Sequence, residues 1–396
     1  MTAAHTTLEA GQGTPPDLAI MLYDARGSGV VRNALRIASA CVAAGLTVEV
    51  WLAEETGHLA ATLPKSIVVR SYGMGPARLG RTGKLALSIP GLARLIRQVR
   101  PRLLLSPGNH MHIAASLAHR MAGRPVESAL IMRASNATWR RTFEAARGTT
   151  LPRPLAAAVD RTNRLLYASA SHTIAVCEEL RGHLQHDLGL PPDRLSVIAN
   201  GVDVEEVRTR AGQPLDHPWL AKTSGPLVVA VGRLSRQKNF EALLEGFAIL
   251  RRRVPARLAI IGENIAGGEA RLRQHINRLG LADSVLLAGF DANPFRWMRA
   301  ARIVAVTSRF EGSSNVVLEG LASGTPVVAF NCPTGIAEVL APVAPANVIE
   351  QGDTAALAAR MAQILAEPLP SRDAPAVPSL SAMLQAYAAF FTGRLG

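Results

Sequence analysis

The sequence predicts an α/β protein built from two doubly wound domains that face one another across a cleft. Three observations lead there. Strand-sized apolar runs alternate with helix-sized amphipathic ones along nearly the whole chain, the pattern of βαβ units with parallel strands and right-handed crossovers. The strand-sized runs are apolar at consecutive positions, as strands covered on both faces must be. The 396 residues exceed what one hydrophobic core usually supports, and the alternation breaks once, over a polar, Pro-containing stretch from 204 to 225. That break is read as the boundary. The expected organisation is a mobile tail over 1–16, one domain over 17–203, a second over 204–376, and a terminal helix within 377–396 that packs back toward the first domain.

In the first domain, Leu18 to Tyr23 reads as a strand, Asp24 to Gly29 as a turn, Val31 to Ala44 as a helix ended by Gly45, and Thr47 to Leu52 as the next strand. The turn Gly27-Ser28-Gly29 does not match the G-x-G-x-x-G dinucleotide fingerprint. Its glycines either admit a ligand close to the backbone or serve a tight turn. Ser66 to Ser71 is a further strand. Residues 76–102 then carry Arg78, Arg81, Lys84, Arg94, Arg97, Arg100 and Arg102 with no acid among them, interleaved with leucines and isoleucines. Such a segment is suited to an anionic membrane surface, the plain alternative being a surface helix with an inward apolar face. Leu103 to Ser106 is a strand followed by the loop Pro107 to His112 and a helix from Ile113 to Met121. Loops beyond the carboxyl ends of strands face the cleft of an open α/β sheet. His110 and His112 are therefore candidates to touch a substrate, against the ordinary alternative of structural histidines. Strands at Ser128 to Arg133, Thr173 to Ala175 and Leu195 to Ile198 and helices at Leu155 to Ala168 and Cys177 to Leu188 complete the domain.

The second domain opens on the strand Leu227 to Val231, with the loop Gly232 to Asn239 and a helix from Phe240 to Arg252. Leu258 to Ile261 and Val285 to Leu287 are strands, with helices at Arg271 to Leu279 and Phe295 to Ala300. Ile303 to Val306 is the next strand, and Glu311-Gly312-Ser313-Ser314-Asn315 is a turn into a helix from Val316 to Ala322. Val327 to Phe330 follows as a buried strand. A strand near Val348, a helix over Thr354 to Leu365 and a terminal helix over Ser381 to Phe391 close the chain.

Composition excludes several classes. No apolar run is long enough to span a bilayer, and the N-terminus lacks the basic and apolar regions of a secretory signal. Cys41, Cys177 and Cys332 are odd in number and far apart, so buried thiols in a reducing cytosol are expected, not a disulfide framework or a metal cluster. The net charge of +13 calls for anionic partners. Aromatics at 4% leave stacking platforms for nucleic acid poorly supplied, which favours phosphates and membrane surface and argues against nucleic acid.

The chemistry concentrates in two loops. Glu311 and Glu319 bracket a turn that leads into a helix, and a helix N-terminus is an anion site. Carboxylates that flank such a site fit an anion bearing hydroxyls on either side, such as a nucleoside diphosphate sugar. The alternative is a capped helix with two solvated glutamates. Arg233 and Lys238 occupy a loop after a strand, and both suit phosphate. The N–H groups near Ser314, Asn315 and Val316 extend the same cradle. No Asp-x-Asp pair is present as a platform for Mg²⁺ or Mn²⁺, so no metal and no cofactor is expected; fixed cations would neutralise a departing diphosphate.

In this order, VGRLSRQKNFEALLEGFAIL, AIIGEN, VLLAGF and EGSSNVVLEGLASGTPVVA resemble the C-terminal domain of family 4 retaining glycosyltransferases, which have the GT-B fold. VIANGVD is similar to the family's interdomain signature, with Ala199 where a Pro usually stands. GSGVVRNALRIASAC, SPGNHMHIAASLA and HTIAVCEEL resemble the N-terminal domain more loosely. The resemblance implies an acceptor-binding first domain and a donor-binding second one. It implies that Arg233 and Lys238 bind the donor diphosphate with Ser314, Asn315 and Val316, that Glu311 is catalytic at the donor sugar, and that Glu319 takes the ribose diol. Glu263 and Phe290 would lie near the nucleoside, His110 would approach the sugar, and Gly27-Ser28-Gly29, where many members have paired glycines, would form an acceptor-side loop.

The expected function is retaining, metal-independent transfer of a sugar from a UDP- or GDP-sugar to a glycan or lipid-linked acceptor in cell-surface polysaccharide synthesis. The expected location is cytoplasmic, peripheral on the inner face of the membrane through 76–102. A nucleotide-sugar epimerase of the same architecture and a non-catalytic sugar-nucleotide-binding protein are the alternatives.

Overall fold

The computed structural model describes residues 14–57, 59–73, 79–125, 127–222, 225–265, 267–368 and 375–396. Most of the expected tail and residues 76–78 of the basic segment lie outside them. The first half contains strands β1 (Leu18–Leu22), β2 (Val48–Leu52), β3 (Val68–Ser71), β4 (Leu103–Ser106), β5 (Ala129–Ala134), β6 (His172–Ala175) and β7 (Leu195–Val197). Its helices are α1 (Gly29–Ala43), α2 (Arg81–Val99), α3 (Asn109–Met121), α4 (Trp139–Arg147), α5 (Arg153–Ala168) and α6 (Glu178–His186). The second half contains β8 (Leu227–Val231), β9 (Arg257–Ile261), β10 (Val285–Gly289), β11 (Ile303–Val306), β12 (Val327–Asn331) and β13 (Val348–Glu350). Between the halves run α7 (Val204–Ala211) and α8 (Pro218–Lys222). The second sheet carries α9 (Phe240–Arg251), α10 (Gly268–Arg278), α11 (Pro294–Ala300), α12 (Asn315–Ala322), α13 (Ile336–Leu340) and α14 (Thr354–Ala366), and the chain ends on α15 (Leu380–Thr392).

Both sheets are parallel throughout. The first runs β3-β2-β1-β4-β5-β6-β7 and the second β10-β9-β8-β11-β12-β13. The consecutive apolar runs become strands sealed on both faces: every residue of β1, β2, β4, β6 and β11 is buried. Edge strands are less covered: β3 leaves Val68 and Val69 exposed, and β7, β10 and β13 are only partly buried. The strand order reverses between β1 and β4 in one sheet and between β8 and β11 in the other. Ligands of open α/β sheets bind at such switch points, beyond the carboxyl ends of the strands. The loops after β1, β8 and β11 carry Gly27–Gly29, Arg233–Lys238 and Glu311, and the helix that follows β4 carries His110 in its first turn.

Helix ends follow local chemistry. Ser28 caps α1 by accepting from the Val31 N–H, Asp203 caps α7 through Glu206, Asp353 caps α14 and Ser379 caps α15. Each such cap contributes about 1 kcal/mol. The terminal helix α15 packs on α1 and sends Met383, Tyr387 and Phe391 into the first domain's core beside Leu18, Ile20 and Ile37.

Several expectations shift. The polar stretch over 204–225 holds two helices, α7 and α8, instead of irregular chain. The loop expected over Pro107–His112 ends early, because α3 begins at Asn109 and takes both histidines into its first turn. The apolar face of α2 is turned inward: Leu92, Ala93, Leu95 and Ile96 are buried against α3, leaving the arginines outside. Glu54, from outside the segment, pairs with Lys84 at 2.5 Å. Among the described residues no helix is long and apolar enough to cross a membrane.

Candidate functional site

The loop after β8 and the loop after β11 are sewn into one unit. Arg309 N donates to the Gln237 carbonyl at 2.8 Å, Gln237 Nε2 to the Phe310 carbonyl at 3.0 Å, and Thr307 Oγ1 to the Lys238 carbonyl at 3.2 Å. Gly232 makes room for this. A Cβ there would sit 2.8 Å from Lys238 Cε, so the lysine stem lies flat across a bare backbone. The stem delivers Lys238 Nζ to Glu311 Oε1 at 2.6 Å, and Ser308 Oγ donates to the same oxygen at 2.6 Å. Glu311 is 9% exposed; its ion pair is shielded from water, where a charge left alone is costly. Its other carboxylate oxygen carries no hydrogen bond within the described residues and remains an acceptor.

Beside this pair stands the N-terminus of α12. Ser314 occupies its cap position, yet its hydroxyl makes no capping bond; Ser314 Oγ is buried and unpartnered among the described residues. The first N–H groups of a helix have no intrahelical acceptor, so the Asn315 and Val316 amides and the Ser314 hydroxyl lie together without a protein partner among the described residues. Arg233, exposed on the adjoining loop, makes no ion pair among the described residues. A paired cation, a free cation, a buried hydroxyl and a helix end therefore converge at one sheet edge, as a diphosphate requires.

Glu319 lies one turn further along α12. It lines a cleft with Arg32 and Arg36 of α1 and Gly201, Asp203 and Glu206 of the connection between the domains. Burial pushes its carboxyl above the usual range, while Arg32, Arg36 and Lys238 pull the other way. Glu263 and Phe290 follow β9 and β10 on the same edge. The Glu263 carbonyl accepts from Leu234 N at 2.9 Å, tying its loop to that of Arg233. Phe290 is 73% exposed, a bare aromatic face on the same sheet edge.

The first domain meets this edge directly. Ala137 N donates to the Glu311 carbonyl at 3.3 Å, Cys177 Sγ lies 3.3 Å from the Gly312 carbonyl, and Gly335 N donates to Glu179 at 3.1 Å. The Gly27–Gly29 turn abuts the cradle: a Cβ at Gly29 would stand 3.1 Å from Asn315 Nδ2. His110 projects toward the same space. The side chain is exposed to solvent; packing around the ring, with the charges of Arg81 and Arg233, lowers its pKa below the usual histidine value, which favours the neutral imidazole. His112 is corrected. It is 1% exposed, hydrogen-bonded through Nδ1 to Ser106 Oγ at 2.8 Å and set edge-on to Tyr167; burial lowers its pKa to about 3. It belongs to the core, because residues two apart on a helix face different sides.

Sequence reasoning missed Ser308, Gln237, Arg133 and Asn200. Asn200 stands in the VIANGVD run and Arg133 ends a strand, with nothing in the sequence to join the two.

The profile of the family Glycosyltransferase Family 4 matches residues 27–206, and that of Glycosyl transferases group 1 matches residues 225–367. A Campylobacter jejuni protein named N-acetylgalactosamine-N,N'-diacetylbacillosaminyl-diphospho-undecaprenol 4-alpha-N-acetylgalactosaminyltransferase is 30% identical over 175 residues, 44% of this chain and 45% of that one. Such matches span less than half the length of the curated relatives. Whole-chain similarity comes from solved structures. A Rickettsia africae glycosyltransferase superposes with a TM-score of 0.69 at 18% identity, over 96% of this chain and 99% of the other. The Anabaena HepE protein in complex with UDP and glucose superposes with a TM-score of 0.67 at 19% identity, over 96% and 97%.

Proposed function

Since the chain is a family 4, group 1 glycosyltransferase with two Rossmann-like domains in the GT-B arrangement, we propose that it moves a sugar, with retention of configuration, from a nucleoside diphosphate sugar to a lipid-linked or glycan acceptor. One observation carries the donor side: Lys238 and Glu311 meet at 2.6 Å over the N-terminus of α12, with Arg233 unpaired beside them. On this reading Arg233, Lys238, Ser314 and the Asn315 and Val316 amides hold the diphosphate. Glu319 accepts from the ribose diol, two acceptor oxygens meeting two donors. Phe290 and Glu263 flank the nucleoside. Glu311 directs its unpaired oxygen at the donor sugar, and neutral His110 approaches from the facing domain as a hydrogen-bond partner for a sugar hydroxyl. Gly27, Ser28 and Gly29 border the acceptor side. Negative charge that develops on the departing diphosphate is met by fixed cations and N–H dipoles, so the transfer needs no metal ion or other cofactor.

The acceptor is proposed to be lipid-linked, in keeping with the diphospho-undecaprenol in the name of the Campylobacter jejuni relative. Charge supports a membrane-facing first domain. Residues 17–203 carry 23 Lys and Arg against 13 Asp and Glu, whereas residues 204–376 carry 19 against 16. Arg81, Arg94 and Arg97 on α2 and Arg100 just beyond its end are exposed. The neighbouring α3 presents Ile113, Leu117 and Met121 to solvent, each more than 40% exposed. Basic side chains about an apolar stripe suit the inner, anionic face of a cytoplasmic membrane and synthesis of a surface polysaccharide there.

One experiment addresses both parts. Labelled UDP-, GDP- and ADP-sugars are offered with lipid-linked acceptors in anionic and in zwitterionic vesicles. The expected result is transfer from one donor class, with the protein sedimenting on anionic vesicles and released by salt. Altered sugar nucleotide formed without acceptor would instead identify an epimerase, nucleotide binding without turnover would identify a non-catalytic binder, and equal sedimentation on both vesicles would remove the membrane assignment.

A further inference from the structure

Arg133, at the carboxyl end of β5, is 2% exposed, and no carboxylate approaches it among the described residues. Its guanidinium spends its donors on three oxygens: Tyr387 Oη at 2.8 Å, the Pro107 carbonyl at 3.2 Å and Asn200 Oδ1 at 2.6 Å. A buried cation without a counter-ion is expensive to keep, so its donors are worth following. Asn200 Oδ1 also faces Asn33 Nδ2 at 3.5 Å. With its oxygen held by two donors, Asn200 turns its amide nitrogen to the other domain, where Nδ2 donates to the Ser313 carbonyl at 3.2 Å and to Asn315 Oδ1 at 3.0 Å. The Asn315 oxygen is thereby occupied, and its Nδ2 faces the cleft beside the Gly29 backbone.

Arginine has donors and no acceptor, whereas an amide has one of each end. Polarity is therefore set in one direction along the chain of contacts. From this geometry we propose that Arg133 is a positioning residue for donor binding: through Asn200 it fixes the Asn315 amide with N–H outward, toward the anionic diphosphate. The inference rests on the donor-site reading above, and extends it to a residue in the core of the opposite domain. It also joins α15 to the site, since Tyr387 holds the far side of the same guanidinium.

The test compares binding of UDP and GDP with binding of uridine and guanosine, which lack the phosphates, in wild type and variants. Asn200→Asp keeps the size and the Arg133 contact but offers only oxygen to Asn315, which then turns its own N–H inward and its oxygen toward the phosphates. Diphosphate affinity is expected to fall roughly 10- to 100-fold, the scale of one hydrogen bond to a charged group, with nucleoside affinity unchanged. Arg133→Gln, able to turn an acceptor toward Asn200, is expected to act likewise, and Arg133→Lys, which has donors only, to retain the wild-type ratio. A diphosphate-to-nucleoside affinity ratio equal to wild type in both Asn200→Asp and Arg133→Gln overturns the proposal. So does parallel loss of nucleoside binding, the mark of a merely structural role. Lys238→Ala separates the two levels: if it leaves diphosphate affinity intact, the donor-site reading fails, and if it alone lowers that affinity, only the relay fails.

Discussion

Replacing Lys238 by Ala is expected to lower kcat/KM by about 10²- to 10³-fold, the usual consequence of removing one preorganised charge stabiliser. The effect has two sources. The departing diphosphate loses one of its two proposed cations. Glu311 also loses its 2.6 Å partner and keeps only the Ser308 hydroxyl on that oxygen, so a shielded carboxylate is left without its counter-charge. The melting temperature should therefore fall together with activity. Glu311→Gln separates the two. It preserves shape and the Ser308 contact, and is expected to lower kcat by a similar factor with little change in donor KM, because it removes charge at the sugar and leaves the diphosphate cradle intact. Steady-state kinetics with the donor identified by the transfer assay measures both. Wild-type turnover in both variants would refute the assignment of the two side chains.

Gly312→Ala is expected to lower kcat about 100-fold while nucleoside affinity holds. A Cβ at Gly312 would lie 2.0 Å from the Ser135 carbonyl oxygen of the first domain. That neighbour is backbone, at the end of β5, and has no rotamer by which to withdraw. The methyl group must hold the domains apart, and a displacement of about 1 Å between reacting groups costs on the order of 10² in rate. Asn200 of the first domain holds Ser313 and Asn315, so the diphosphate contact loosens with the displacement, whereas Glu263, Phe290 and Glu319 belong to the second domain alone and nucleoside binding survives. Parallel measurement of kcat and of uridine or guanosine affinity decides this. Wild-type kcat would mean that the contact between Gly312 and Ser135 is not part of the productive arrangement.

The fold was legible because parallel strands sealed on both faces write themselves as unbroken apolar runs. Leu18–Leu22, Leu227–Val231 and Ile303–Val306 emerge as strands within a residue of the expected bounds. The short polar helices were not legible. Trp139–Arg147 buries no side chain, so its short stripe of Trp139 and Phe143 marks no core face among many charged neighbours; Val204–Ala211 buries only Val207 and Ala211, although Asp203 caps it in a readable way. The two histidines were separated by a shift of four residues in the start of α3, which set His112 into the core and left His110 at the cleft. Arg233 and Lys238 share one loop, Glu311 and the turn into α12 another, each legible locally, and the switch point between β8 and β11 brings the two loops to one edge. The inward face of α2 was equally local, but which way it turned depended on α3. The Arg133 relay had no sequence signature at all. It joins residues 67 and 254 positions away, at Asn200 and Tyr387, and only packing brings them together.

The most direct measurement of the donor-site reading is a crystal structure of the chain with the nucleoside diphosphate that binds it. The expected density places the two phosphates between Arg233, Lys238 and the amides of Asn315 and Val316, within hydrogen-bond distance of Ser314 Oγ, with the ribose hydroxyls on Glu319. A diphosphate bound elsewhere, or one that touches neither Lys238 nor the α12 N-terminus, would contradict it.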